Sequence, residues 1–109
     1  MSVTNDKELT RLLDEARPLL PTHEQWAGLG EEGSELCQAA LKMRRVLTQI
    51  NRTPVTFDNA LEGVLEEIAD VYNYMDFLGI RNDADMMSHV EAIRKFKLRR
   101  MIANRYATK

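Results

Sequence analysis

The sequence predicts an all-α protein, with four helices packed as a bundle. Aromatic residues make up only 6% of the 109 residues, whereas Met, Leu, Ala, Glu and Arg are plentiful, which favours helices over strands. Apolar residues recur at i, i+3 and i+4 spacing through most of the chain, as on one face of a helix. A mass of 12.6 kDa predicts a single domain, residues 1–109, whose thin core we expect oligomerisation to complete.

Prolines separate the first two predicted helices. The first runs from about Lys7 to Arg17, with Asn5 or Asp6 as its N-cap, and Pro18 ends it because proline removes a backbone hydrogen bond. The second follows Pro21 and continues to about Ile50. Three glycines in its first half favour a bend or a break there. They are Gly28, Gly30 and Gly33.

Turn signals also bound the third and fourth helices. Asn51–Pro54 is a predicted loop, since proline is excluded from a helix interior. The third helix runs from about Asp58 to Leu78, with Thr56 or Asp58 as its cap, and Gly79 closes it. The fourth begins at Asn82-Asp83 and reaches about Asn104.

The charge of the chain is divided unevenly along its length. The formal net charge is −2, from 15 Lys and Arg against 17 Asp and Glu. Residues 91–109 carry seven bases and one acid, whereas the other residues carry eight bases and sixteen acids. A strongly acidic body therefore precedes a basic segment, and this acidity disfavours a nucleic-acid partner because it would repel a duplex.

Several classes of protein are excluded by simple absences from the sequence. Cys37 is the only cysteine, so neither an intrachain disulfide nor a cysteine-rich zinc site is expected. No apolar run is long enough to span a bilayer, and the first ten residues do not have the core of a signal peptide. We therefore expect no membrane partner and a cytoplasmic location.

Acidic residues fall on the predicted buried side of the second helix. At 100° per residue, Glu32 lies on the apolar stripe, Glu35 lies at its edge and Glu31 points away. The stripe is formed by Leu36, Ala40, Met43, Leu47 and Ile50. A carboxylate on such a stripe is costly unless something compensates its charge.

The third helix repeats this anomaly. It is apolar around most of its circumference, and its narrow polar arc holds Glu62, Glu66, Asn73 and Asp76. Glu67 and Asp70 fall outside that arc, among apolar residues. This helix is expected to pack against more than one neighbour, with Glu67 and Asp70 buried between them.

Two i, i+3 acidic pairs on facing helices predict a site for a hard divalent cation. Converging carboxylates repel each other, and oxygen ligands without His or Cys favour Mg²⁺ or Mn²⁺. The alternative is that the acids are surface charges, as most Glu-x-x-Glu pairs on helices are. The residues four positions after Glu32, Glu35 and Glu67 are not bases, so intrahelical ion pairs of the usual kind are missing.

Two segments carry a resemblance to a known family. GEEGSELCQAALK (residues 30–42) followed by LEEIADVYNYMDFL (residues 65–78) resembles the all-α nucleoside triphosphate pyrophosphatases, which include MazG-like proteins. The shared mark of that superfamily is Glu-x-x-Glu followed by Glu-x-x-Asp. Here these pairs are Glu32 with Glu35 and Glu67 with Asp70.

The resemblance implies a MazG-like pyrophosphohydrolase that cleaves a nucleoside triphosphate between the α and β phosphates, in nucleotide-pool sanitation or dNTP control. It implies Mg²⁺, with Mn²⁺ as an alternative, and it assigns the metal ligands by position as Glu32, Glu35, Glu67 and Asp70. Glu35 or Glu31 is then the candidate general base for the attacking water. It also implies a homodimer or homotetramer in which helices from two subunits complete each site.

Further residues are candidates for binding the nucleotide. The predicted inner line of the basic fourth helix is marked by Val90, Ile93, Met101 and Asn104, and Lys97 lies on it with Arg100 beside it. Relatives bind phosphates with bases of their last helix. The remaining candidates are Tyr74, Asn73, Trp26 and Gln25. For Trp26 the expected contact is stacking on a base.

Two other classes of function stay open on the sequence. The first is a noncatalytic helical interaction module, in which the acids are surface charges. The second is a nucleic-acid binder that uses the basic helix. A di-iron bundle is disfavoured because neither acidic motif supplies the His of a Glu-x-x-His pair.

Overall fold

A computed structural model describes residues 6–48 and 55–107, which form four α-helices and one 3₁₀ turn, Arg17–Leu19. The α-helices are α1 (Lys7–Ala16), α2 (Thr22–Thr48), α3 (Phe57–Phe77) and α4 (Ala84–Ala107). The described residues contain no strand, which confirms the all-α prediction. The predicted loop Asn51–Pro54 and the predicted end of the second helix at Ile50 lie outside the described residues. None of the described helices has the length and apolar character needed to cross a membrane.

Side-chain caps fix the starts of three helices. The Asp6 carboxylate accepts from the Leu9 N–H at 3.0 Å, and the Thr56 hydroxyl accepts from the Asn59 N–H at 3.1 Å. The Asp83 carboxylate accepts from the Met86 N–H at 2.9 Å at the start of α4. Each bond satisfies a backbone donor that has no partner within its helix. Gly79 follows α3 with a φ of +73°, a conformation that favours glycine.

The predicted break in the second helix is wrong, because α2 continues unbroken for 27 residues, and the alternative of a bend stays a prediction. Its glycines differ in their surroundings. A Cβ atom on Gly28 would overlap the Tyr74 ring, whereas one on Gly30 or Gly33 would meet nothing within 4 Å. Gly28 therefore allows α3 to approach α2 closely, and the other two glycines have no such packing role.

Helices α2 and α3 pack against each other in antiparallel directions. Gly28 lies opposite Tyr74, and Glu32 lies farther along α2 opposite Glu67, earlier in α3. The half-buried residues in the later part of α2 are Leu36, Ala39, Met43 and Val46. The predicted stripe contained Ala40 and Leu47 in place of Ala39 and Val46, but Ala40 and Leu47 are exposed. The half-buried side of α2 is therefore displaced by one residue from the predicted stripe at these two positions.

The short helix α1 is fixed to the end of α3. Leu13 is buried, and the Arg17 guanidinium donates to the carbonyls of Phe77 at 3.0 Å and of Asp76 at 3.1 Å. These carbonyls belong to the last turn of α3 and have no partner within the helix. Asp76 is only 5% exposed, and its carboxylate accepts two hydrogen bonds from Arg81, at 2.9 Å and 2.7 Å. The sequence pattern placed Asp76 on the polar face, so its burial with Arg81 is a correction.

Helix α4 extends away from the other three helices. Every side chain from residue 88 to residue 105 is exposed, including the predicted inner-line residues Val90, Ile93 and Met101. The packed body of the described chain is therefore α1, α2 and α3. The expected packing of the fourth helix through its inner line does not occur within one copy.

Candidate metal centre

Three of the four predicted ligands meet between α2 and α3. Glu32 comes from α2, and Glu67 and Asp70 come from α3 (the acidic trio). Each of these residues offers a carboxylate oxygen, and the three oxygens lie within 4.8 Å of one another. Glu67 and Asp70 are three residues apart, which places both on the same side of α3, next to Glu32.

The three residues of the acidic trio differ in their exposure to solvent. Glu32 and Glu67 are half-buried, whereas Asp70 is exposed. The Oε2 atom of Glu67 is buried and has no hydrogen-bond partner among the described residues. A buried carboxylate oxygen without a donor is costly, so this atom calls for a cation or a proton.

The electrostatics of the acidic trio agree with this geometry. Burial raises the pKa of Glu32 above the ordinary value for glutamate, and the negative charges of Asp70 and Glu67 raise it further. Hydrogen bonding of the protonated Glu32 carboxyl to Glu67 and Asp70 acts in the same direction. The raised pKa means that the site as it stands favours binding positive charge.

No base in the described ranges 6–48 and 55–107 forms a salt bridge with the acidic trio. The Arg–carboxylate salt bridges of those ranges include Arg11–Glu15, Arg17–Asp14 and Arg81–Asp76, all at a distance in sequence from the acidic trio. The donor set is therefore three carboxylates without His or Cys, which fits a hard divalent cation such as Mg²⁺. The unpartnered Glu67 oxygen fits the same cation.

Glu35 and Glu31 lie outside the acidic trio. Glu35 follows Glu32 by three residues on α2, and both Glu35 and Glu31 are exposed. Glu35 as a fourth ligand, and either residue as the general base, stay predictions.

Gln25 and Tyr74 lie in packed positions between helices. Gln25 is 6% exposed, and its amide donates to the carbonyls of Arg17 at 3.1 Å and Leu20 at 3.0 Å. The Tyr74 ring packs against Gly28 and meets Phe77 edge-on, with 5.5 Å between ring centroids. These contacts account for both positions, and contact of either residue with a substrate stays a prediction.

The other predicted substrate residues are open to solvent. Trp26 is 54% exposed, so its ring is available for stacking. Asn73 is exposed beside a cavity between α1 and α3 that Leu13 and Phe77 also line. Lys97 and Arg100 are exposed on α4, where the Arg100 guanidinium lies 5.6 Å from the Phe96 ring centroid. The fold of one copy therefore does not bury these two bases against the body.

Sequence reasoning did not find the roles of Arg17 and Arg81. The available signal was an Asp followed five residues later by an Arg, across the glycine turn that ends α3. In the structure this pair fixes the turn, and Arg81 also covers the Tyr72 ring, 3.9 Å from its centroid. No protein-family model, curated protein or solved structure matches the chain.

Proposed function

We propose that the protein is a Mg²⁺-dependent nucleoside triphosphate pyrophosphohydrolase, which cleaves NTP or dNTP between the α and β phosphates. The observation that carries this proposal is the acidic trio, whose buried Glu67 Oε2 atom has no hydrogen-bond partner within the described residues. Such a site suits a cation that accompanies a polyphosphate substrate. The resemblance of the two acidic motifs to the MazG-like pyrophosphatases supports the same reaction. A cytoplasmic location is part of this proposal.

The acidic trio would hold the cation, with Glu35 as the proposed fourth ligand. A bound Mg²⁺ or Mn²⁺ supplies charge stabilisation to phosphate oxygens and lowers the pKa of water. Glu35 or Glu31 would accept the proton of the attacking water, since both carboxylates are exposed on the segment of α2 that carries Glu32. The products are the nucleoside monophosphate and pyrophosphate.

The nucleotide itself would be bound by residues around this site. Lys97 and Arg100 are proposed to bind its phosphates, and the exposed Trp26 is proposed to stack on its base. Since α4 does not pack on the body of its own copy, we propose that a homodimer or homotetramer brings these bases to the acidic trio.

The test is a panel of NTPs and dNTPs incubated with Mg²⁺, scored for monophosphate and pyrophosphate. We expect turnover of at least one nucleotide and its loss in Glu67→Gln. Glu62→Gln is the matched control, because Glu62 is an exposed acid of α3 outside the acidic trio. Release of orthophosphate would show that a different bond is cleaved. No turnover of any nucleotide, by protein that binds no Mg²⁺, would contradict the proposal.

A noncatalytic helical interaction module is the second candidate. The observation that favours it is the exposure of the apolar side chains of α4, which is typical of a surface that binds another helix. In that case Mg²⁺ would raise the melting temperature of neither the unchanged protein nor Glu67→Gln. A Mg²⁺-dependent rise that Glu67→Gln abolishes separates the two candidates.

A further inference from the structure

Helix α4 is attached to the rest of the chain at its first residues only. The described helices pack as α2 with α3 and α1 with α3, whereas α4 makes little contact with any of them. Every side chain from residue 88 to residue 105 is exposed. The direction of α4 within one copy therefore depends on the residues that connect it to α3. Its 24 residues span about 36 Å, so a small change of direction at that end becomes a large displacement at the other.

The connection begins with backbone hydrogen bonds that close the end of α3. In residues 76–83 (the α3–α4 joint), the Ile80 N–H donates to the Met75 carbonyl and the Gly79 N–H donates to the Asp76 carbonyl, each at 3.1 Å. Gly79 has a φ of +73°, a conformation that a helix end of this kind uses. The chain is therefore fixed to the last turns of α3 as far as residue 80.

Hydrogen bonds around Asp83 fix the start of α4. The Asp83 N–H donates to the Ile80 carbonyl at 3.2 Å, and the Asp83 carboxylate accepts from the Met86 N–H at 2.9 Å. Arg81 and Asn82 lie between these two fixed ends, and α4 would rotate as a rigid body if their backbone dihedral angles changed. Residue 81 is therefore at the point where the direction of α4 can be controlled.

The Arg81 side chain reaches back from this point to α3. Its Nε atom donates to Oδ1 of Asp76 at 2.9 Å, and its Nη2 atom donates to Oδ2 at 2.7 Å. The two side chains are only 18% and 6% exposed. The guanidinium also lies over the Tyr72 ring, 3.9 Å from the ring centroid. Two parallel bonds to one carboxylate fix orientation as well as distance, so Arg81 is held on two successive turns of α3.

The backbone of Asp76 is held from the opposite side by Arg17. The Arg17 guanidinium donates to the carbonyls of Asp76 at 3.1 Å and of Phe77 at 3.0 Å. The Arg17 carbonyl in turn accepts from the buried Gln25 amide at 3.1 Å, which ties this contact to the start of α2. Asp76 is therefore part of the body, and it cannot follow a movement of α4 without breaking these bonds.

We propose that Arg81 is a positioning residue that holds α4 in one direction relative to the body, and that α4 rotates about the α3–α4 joint when the Arg81–Asp76 pair is broken. A rotation of about 20° would displace the far end of α4 by about 12 Å, given the length of the helix. The direction of α4 decides where its bases are presented, Lys97 and Arg100 included. The inference goes beyond the proposed reaction and does not depend on it.

The test measures the direction of α4 by pulsed electron paramagnetic resonance, between nitroxide labels on Cys37 and on Ala103→Cys. Cys37 is the only cysteine of the chain, and both positions are exposed, on α2 and on α4. The labelled protein is mixed with an excess of unlabelled Cys37→Ser protein, so that each distance joins two labels on one copy. The variant is Arg81→Met, and the control is Arg94→Met, the same change at an exposed base of α4. No nucleotide or Mg²⁺ is present, so the result does not depend on whether the protein is an enzyme.

We expect one narrow distance distribution for the unchanged protein and for Arg94→Met, and a distribution at least twice as wide for Arg81→Met. A second label pair, Cys37 with Glu62→Cys, reports on the α2–α3 body and should keep its width in all three proteins. Equal widths at Ala103→Cys with and without the Arg81 guanidinium would overturn the proposal, because something other than the joint would then set the direction of α4.

A second variant covers the case in which Arg81→Met loosens the body by leaving Asp76 buried without its partner. Asp76→Leu with Arg81→Met replaces the buried pair by apolar side chains of similar size, a change that is often neutral or stabilising. It keeps the body packed but removes the two parallel bonds. We expect the same widening at Ala103→Cys, with no change in the distance between Cys37 and Glu62→Cys. A distribution as narrow as that of the unchanged protein would contradict the positioning role of Arg81.

Discussion

The α2–α3 pair and α4 are incomplete in opposite ways. Between α2 and α3, three carboxylates meet without a base among the described residues, and a buried Glu67 oxygen has no donor. Along α4, exposed apolar side chains are interspersed with exposed bases. In the proposed function the α2–α3 pair would hold a cation, and α4 would contact a second copy of the chain. The difference separates a polar site between two packed helices from an exposed helix that makes little contact with the rest of its own copy.

The largest loss of stability is expected from breaking the buried ion pair between Asp76 and Arg81. Asp76→Ala leaves the Arg81 guanidinium without its two hydrogen bonds and loosens the turn that leads to α4. We expect the free energy of unfolding to fall by about 3 kcal/mol, since removing one partner of a buried pair is strongly destabilising. Urea denaturation followed by circular dichroism measures this change.

The matched control for that prediction is Asp14→Ala, which breaks the exposed ion pair with Arg17. A loss below about 1 kcal/mol is expected there, because exposed ion pairs contribute little. Equal losses for the two variants would show that the Asp76–Arg81 pair does not stabilise the body.

The next effect tests the close approach of α2 and α3. Gly28→Ala places a Cβ atom against the Tyr74 ring, so we expect a loss of about 1–3 kcal/mol from overpacking. Gly30→Ala meets nothing within 4 Å and should stabilise α2 by about 0.5–1 kcal/mol through helix propensity. Thermal denaturation of the two variants measures the contrast, and a stabilising Gly28→Ala would contradict the packing.

A smaller effect is expected from neutralising the acidic trio without metal. Glu67→Gln removes one negative charge and gives Glu32 and Asp70 an amide donor, so the metal-free protein should gain up to about 1 kcal/mol. Urea denaturation in EDTA measures this gain. A loss of more than 1 kcal/mol would mean that the Glu67 charge is already compensated within the chain.

The smallest expected effect is the contribution of Glu32 to the pH dependence of the free energy of unfolding. Because its pKa is raised in the folded chain, the folded state binds more protons than the unfolded state between the two pKa values. The contribution of Glu32 to stability is fully present below pH 4.5 and is lost as the pH rises through the folded pKa. Glu32→Gln should therefore weaken the fall in metal-free stability from pH 4.5 upwards, measured in EDTA, whereas Glu62→Gln should leave it unchanged.

Local patterns were sufficient to predict much of the fold. Caps such as Asp6 and Thr56, and the left-handed Gly79, act over a few residues, so the sequence contains their whole physical cause. The half-buried side of α2 contains Ala39 and Val46, one residue before the predicted Ala40 and Leu47. This difference arises because periodicity locates the buried face of a helix only to within about one residue. Gly28 was misjudged because its role depends on Tyr74, which is 46 residues away.

The candidate site was predictable where acidic residues fall on the apolar face of a helix. Glu32 and Glu67 stood out because a carboxylate on an apolar face needs compensation, and the structure brings them together with Asp70. Asp76 was missed because a polar face on a helical wheel does not show that Arg81 folds back over it. The position of α4 was not predictable, since an apolar stripe does not indicate whether its partner belongs to the same chain.

The most direct test of the account is a Mg²⁺ titration of the melting temperature, at constant ionic strength, for the unchanged protein, Glu67→Gln and Glu62→Gln. At a free Mg²⁺ concentration of ten times the Kd, binding should raise the free energy of unfolding of the unchanged protein by about 1.4 kcal/mol. We expect a saturable rise for the unchanged protein and for Glu62→Gln, and none for Glu67→Gln. An equal rise in all three proteins, or no rise in any, would contradict a cation site at the acidic trio.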